Sequence, residues 1–121
     1  MKIGIVMLGV HDLARSVAFY GDVLGLQVRL SAGEITFMDA GAISLGLRHV
    51  ADLGAPHDDR RVELVFPVDD IQSAYEALRA KGVTFRVAPR VVTGDRWAAD
   101  FRDPDGHVLS IFGPNLVVGG G

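Results

Sequence analysis

The sequence contains no cysteine among its 121 residues. Structural disulfides, thiolate metal sites and cysteine nucleophiles are thereby excluded. Positive charge is not in excess either: 12 Lys and Arg stand against 15 Asp and Glu, a net charge of −3. Phosphate binding needs clustered basic side chains, and the one adjacent pair, Arg60-Arg61, follows Asp58-Asp59 as in a solvated loop. Nucleic acid is therefore not an expected partner. No apolar run has the length of a membrane-spanning helix. Ile3 to Val10 is apolar behind Met1-Lys2, but His11, Asp12 and Arg15 come next in place of a small-residue cleavage site, so a buried first strand fits better than a signal peptide. These absences lead us to expect a cytoplasmic protein with no membrane partner.

What is present is a repeat. Val6 to Leu13 followed by Ser16-Val17-Ala18-Phe19-Tyr20 shares its layout with Leu64 to Ile71 followed by Ala74-Tyr75-Glu76-Ala77-Leu78. Each copy reads as a strand, an aspartate and an amphipathic helix. Asp12 and Asp70 stand where a side chain can accept the free N–H groups of a first helical turn. The helices are predicted over about 13–24 and 71–81, with Gly25 and Gly82 as left-handed ends. Three short strands follow each helix, about 26–30, 35–38 and 43–48 in the first copy and 84–87, 97–102 and 108–112 in the second. Asp39-Ala40-Gly41 and Asp103-Pro104-Asp105-Gly106 are turn sequences. One domain over 1–121 results, with module one at about 1–50, a linker at about 51–61, module two at about 62–117 and a frayed Val118–Gly121 tail. The fold class is α+β: two tandem βαβββ modules forming a curved mixed sheet around a central cavity.

Alternation along strands assigns faces. Val6, Leu8 and Val10 oppose Ile5, Met7 and Gly9; Leu64, Phe66 and Val68 oppose Glu63, Val65 and Pro67; Leu109 and Ile111 oppose Val108, Ser110 and Phe112. The aliphatic rows are expected under the helices and the mixed rows on the cavity side. Ser44, Gly46 and Arg48 then face the cavity, as do Arg96, Ala98 and Asp100. Strict alternation buries Trp97 under a helix, whereas a bulge near Gly94-Asp95 swings it into the cavity as a stacking surface. Pro89 to Asp95 reads as a movable rim loop. Met7, Met38 and Phe112 are candidates for an apolar lining, or are ordinary core or dimer contacts.

The stretch Val10-His11-Asp12-Leu13 through Ser16, Phe19-Tyr20 and Leu24-Gly25-Leu26, together with the later Asp103-Pro104-Asp105-Gly106-His107, resembles the vicinal-oxygen-chelate superfamily of glyoxalases, bleomycin-resistance proteins and extradiol dioxygenases. The resemblance spans nearly the whole chain. It implies four cavity-facing positions that hold a divalent metal in the enzymes. Those positions fall on Ile5, Ser44, Glu63 and Ser110, of which only Glu63 is a good ligand. His11, His49, His57 and His107 sit at strand ends, turns or loops and read as surface or capping residues. No metal site and no cofactor are therefore expected.

Glu63 has two readings. It is a general base or ligand acceptor, with Asp100 as a second carboxylate, or it is half of an ion pair with Arg48 or Arg96. Ser44 and Ser110 lack a histidine at motif spacing and so are not expected as nucleophiles; they are pocket hydroxyls or small residues that leave room. The ligand-binding candidates are Met7, Met38, Ser44, Arg48, Glu63, Arg96, Trp97, Asp100, Ser110 and Phe112. The resemblance implies a metal-independent small-molecule binder akin to the bleomycin-resistance branch, an antibiotic-resistance type of activity, acting as a homodimer. The alternatives are an enzyme of lyase, isomerase or dioxygenase class using Glu63, with or without a divalent metal, and a structural or regulatory partner domain.

Overall fold

The structure, a computed structural model, describes residues 1–51, 61–102, 104 and 106–119. Most of the linker, with His57 and the Asp58–Arg60 charges, lies outside the described residues, as do Asp103, Asp105 and the last two glycines of the tail. Elements follow in the order β1 (Ile5–Val10), α1 (Leu13–Ala18), a π-helical turn (Phe19–Val23), β2 (Gln27–Ala32), β3 (Ile35–Asp39), β4 (Ser44–His49), β5 (Val62–Pro67), α2 (Ile71–Ala80), β6 (Phe85–Thr93), β7 (Arg96–Arg102), β8 (Val108–Pro114) and α3 (Leu116–Gly119). The repeat of strand, helix and three strands is thus present in both halves, and the fold is α+β.

Both expected caps form. Asp12 accepts the Arg15 N–H at 3.0 Å, and Asp70 accepts the Ser73 N–H at 3.3 Å. Gly25 and Gly82 adopt φ of 80° and 96°, left-handed values that side-chain-bearing residues resist. The first helix differs from the regular one expected over 13–24. It passes into a wider π turn through Gly21, a weak helix former. The α3 turn occupies the start of the tail read as frayed.

The chain divides into two compact units, Gly4–Glu63 and Leu64–Gly121 with Met1–Ile3. In the first, the strands run in the order β2-β3-β4-β1. β1 lies parallel to β4, and Val6↔Leu45 and Leu8↔Leu47 share a face with Met38 and Thr36. Met38 and Leu47 are fully buried there. In the second unit the order is β5-β8-β7-β6. Its core is Ile71, Ala99 and Ile111, with Phe66, Val68, Leu78 and Phe85 packed against it. Tyr75, Phe85 and Phe101 meet edge to face, at centroid distances of 4.6 and 5.1 Å.

The expected rim loop at 89–95 is a correction. β6 continues to Thr93, and only a tight turn at Gly94, φ 52°, follows. Pro89 is tolerated because β6 is the last strand of its unit, where a missing N–H costs no ladder bond, and because β6 is bulged on either side of it.

Candidate functional site

Each unit builds an Arg–Asp–Ser group on the face away from its helix. In the first, Asp39 and Ser44 are register partners on β3 and β4. A bulge between Val28 and Leu30 on β2 frees Arg29 from the alternation. Its Nη1 donates to Ser44 Oγ at 3.0 Å and its Nη2 lies 3.2 Å from Asp39 Oδ1. The Gly41 N–H, at 2.9 Å, and then the Arg29 charge hold the Asp39 carboxyl below its usual pKa. In the second unit, Asp100 and Ser110 are register partners on β7 and β8. A bulge between Phe85 and Val87 carries Arg86, whose Nε donates to Asp100 Oδ1 at 2.7 Å. Asp100 and Ser110 are both buried.

Neither arginine was among the candidates from sequence. A signal was present nonetheless. Each follows its helix-ending glycine at the same spacing, Gly25-Leu26-Gln27-Val28-Arg29 and Gly82-Val83-Thr84-Phe85-Arg86.

Glu63 pairs with Arg48 at 3.7 Å and not with Arg96, which lies 3.7 Å from its chain neighbour Asp95. Gly9 stands beside Arg48 in the register and puts no side chain between β4 and the start of β5. Arg48 Nε is buried without a hydrogen-bond acceptor among the described residues. Glu63 and Asp100 are thus each matched with a guanidinium, from Arg48 and Arg86.

Met7 lies on the Gly46 face, as alternation requires. A Cβ on Gly46 would collide with Met7 Sδ, so the glycine is what admits the thioether. Phe112 shares a face with Ala98, Asp100 and Ser110. Two lining candidates belong elsewhere. Met38 faces the α1 side, fully buried next to Gly21, because Asp39 takes the opposite face beside Ser44. Trp97 packs against the Ile71, Ala99 and Ile111 core under α2; the bulge near Gly94 lies beyond it and leaves the strand's alternation intact. A depression of about 450 Å³ lined by Tyr75, Arg79, Gly82, Val83, Thr84 and Phe85 includes none of the candidates.

The donor set does not fit a divalent metal. Ile5 offers no donor, Ser44 Oγ already receives a cationic guanidinium, Ser110 stands beside an arginine-bound aspartate, and Glu63 faces Arg48. A metal would need several converging oxygen or nitrogen donors free of competing positive charge. Among the described residues no group of three or more His, Asp or Glu is placed to supply them. No described helix is long and apolar enough to cross a membrane.

A model of the Glyoxalase/Bleomycin resistance protein/Dioxygenase superfamily matches residues 2–111. The uncharacterized protein YraH of Bacillus subtilis is 30% identical, over 93% of this chain and 98% of its own. A member of the same superfamily from Vibrio splendidus superposes with a TM-score of 0.66 at 18% identity, covering 90% of this chain and 96% of its own. Methylmalonyl-CoA epimerase from Mycobacterium tuberculosis superposes with a TM-score of 0.70 at 19% identity, covering 98% and 91%. At those identities the two structures speak for the fold alone.

Proposed function

The chain belongs to the Glyoxalase/Bleomycin resistance protein/Dioxygenase superfamily, and on that premise we propose that it is a small-molecule-binding protein that works without the superfamily's divalent metal. One observation carries this reading: of the serines at two of the expected metal positions, Ser44 accepts a bond from the Arg29 guanidinium and Ser110 stands beside the arginine-bound Asp100. A guanidinium at such a position repels a divalent cation but offers directional donors to a ligand oxygen. The site side chains then orient a bound compound and catalyse no reaction. Exposed apolar side chains in the first unit, Val23, Leu24, Val28 and Leu30, fit the accompanying expectation of a homodimer. A ligand screen by thermal shift, run with and without EDTA, tests the reading. Stabilisation by at least one compound class, unchanged by the chelator, is expected. Stabilisation that EDTA abolishes contradicts it.

The catalytic alternative is one in which Glu63 moves a proton. The Arg48 pairing supports it only in placing a charged group beside Glu63. A turnover lost in Glu63→Gln with folding intact would establish it.

A further inference from the structure

The strand register of the second unit sets out a face residue by residue. Val87, Asp100 and Ser110 form one row across β6, β7 and β8, with the bulged Arg86 bonded to Asp100, and Arg90, Ala98 and Phe112 form the next. The two arginines differ in state. Arg86 is fixed by the 2.7 Å bond to Asp100, which balances its charge. Arg90 is exposed, and no hydrogen bond or ion pair joins its side chain to another described residue. Between Arg90 and Phe112 stands only Ala98, too small to fill the row. Phe112 lies two strand spacings away, roughly 10 Å, and is half-buried.

This face therefore offers one guanidinium with no partner among the described residues, a second held in fixed orientation by Asp100, and an aromatic ring beyond an alanine-sized gap. A guanidinium is a planar fork matched to a carboxylate. The ring and the alanine suit a flat apolar body, and the Arg90 charge is of the wrong sign for a cation. We propose that this face binds a small aromatic carboxylate, its carboxylate on Arg90 and its ring over Ala98 against Phe112. The assignment rests on the small-molecule-binding reading and gives it a ligand class.

Titration of ¹⁵N-labelled protein with benzoate, and separately with the neutral benzamide, tests it. Benzoate is expected to shift amides of β6, β7 and β8. Benzamide should bind weaker by about tenfold or more, the loss that goes with a charge-assisted hydrogen bond. Arg90→Gln should weaken benzoate by a similar factor, whereas Arg15→Gln on α1 should not. Benzamide binding as well as benzoate, an unchanged affinity in Arg90→Gln, or no benzoate binding overturns the assignment. If benzoate fails while a neutral or basic compound from the thermal-shift screen binds, the carboxylate site falls and the binding function stands. If no compound of any class binds, both fall.

Discussion

Arg86 reaches Asp100 from a bulge, and the bulge is what makes the contact possible. Phe85 opposes Phe101 and Val87 opposes Asp100, so the inserted Arg86 is turned to the side of the sheet away from α2. Removing it leaves a buried carboxylate short of a charged donor. Arg86→Ala should cost about 1–3 kcal/mol, toward the lower end because the guanidinium is partly exposed and solvent screens the pair. Arg90→Ala, which breaks no described contact, should stay within about 0.5 kcal/mol of the parent. Urea denaturation of the two variants measures the difference; equal values would deny Arg86 its structural role.

Gly46 admits the Met7 side chain, and any larger residue must displace it. Gly46→Ala should destabilise by about 1–3 kcal/mol, the range for overpacking a filled core. Adding Met7→Ala should recover part of that loss, because the two residues occupy one space. Strictly additive losses in the double variant would show that the two do not compete.

Trp97 belongs to the core under α2. Trp97→Ala should lower stability by up to about 3–5 kcal/mol, the range for truncating a large aromatic in a core. At a temperature where the variant stays folded, it should leave benzoate affinity unchanged. A selective loss of affinity, with the melting temperature held, would return Trp97 to the ligand face.

Asp70 caps α2 and also accepts the Leu116 N–H of α3 at 3.0 Å, so one carboxylate ties the chain's last helical turn to the start of α2. The Ser73 hydroxyl and then the Leu116 N–H hold its pKa below 3.8. A carboxyl depressed in the folded state contributes stability that is fully present above its unfolded pKa and is lost as pH falls through the folded value. Acidification below pH 3.8 should therefore speed hydrogen exchange at Leu116 together with the first turn of α2. In Asp70→Asn, whose side-chain carbonyl can still accept these bonds but does not titrate, that exchange should not respond to acid. An acid response that survives in Asp70→Asn would assign the effect to another group.

The fold was legible because it is written twice. Asp12 and Asp70 mark the same place in each copy, Gly25 and Gly82 end the helices, and alternation put Ile111 under α2 and Ser110 on the other face, where the structure has them. The arginines of the candidate site were not legible by the same means. Alternation holds only while the ladder is regular, and Arg29 and Arg86 both sit at bulges, where a side chain changes face without any change in composition. Met38 was left open between lining and core for a simpler reason: its face follows from that of Asp39, and Asp39 had been read as a turn residue alone. The extent of β6 was hidden by Pro89, which reads as a breaker except on an outer strand.

Metal content is the most direct test of whether this member of the superfamily works without its metal. Elemental analysis of the purified protein, with Glu63→Gln alongside, should find well under one divalent ion per chain in both forms. One zinc, nickel, manganese, iron or cobalt per chain, lost in Glu63→Gln, would contradict the proposal and restore a metal-dependent reaction at the positions of Ile5, Ser44, Glu63 and Ser110.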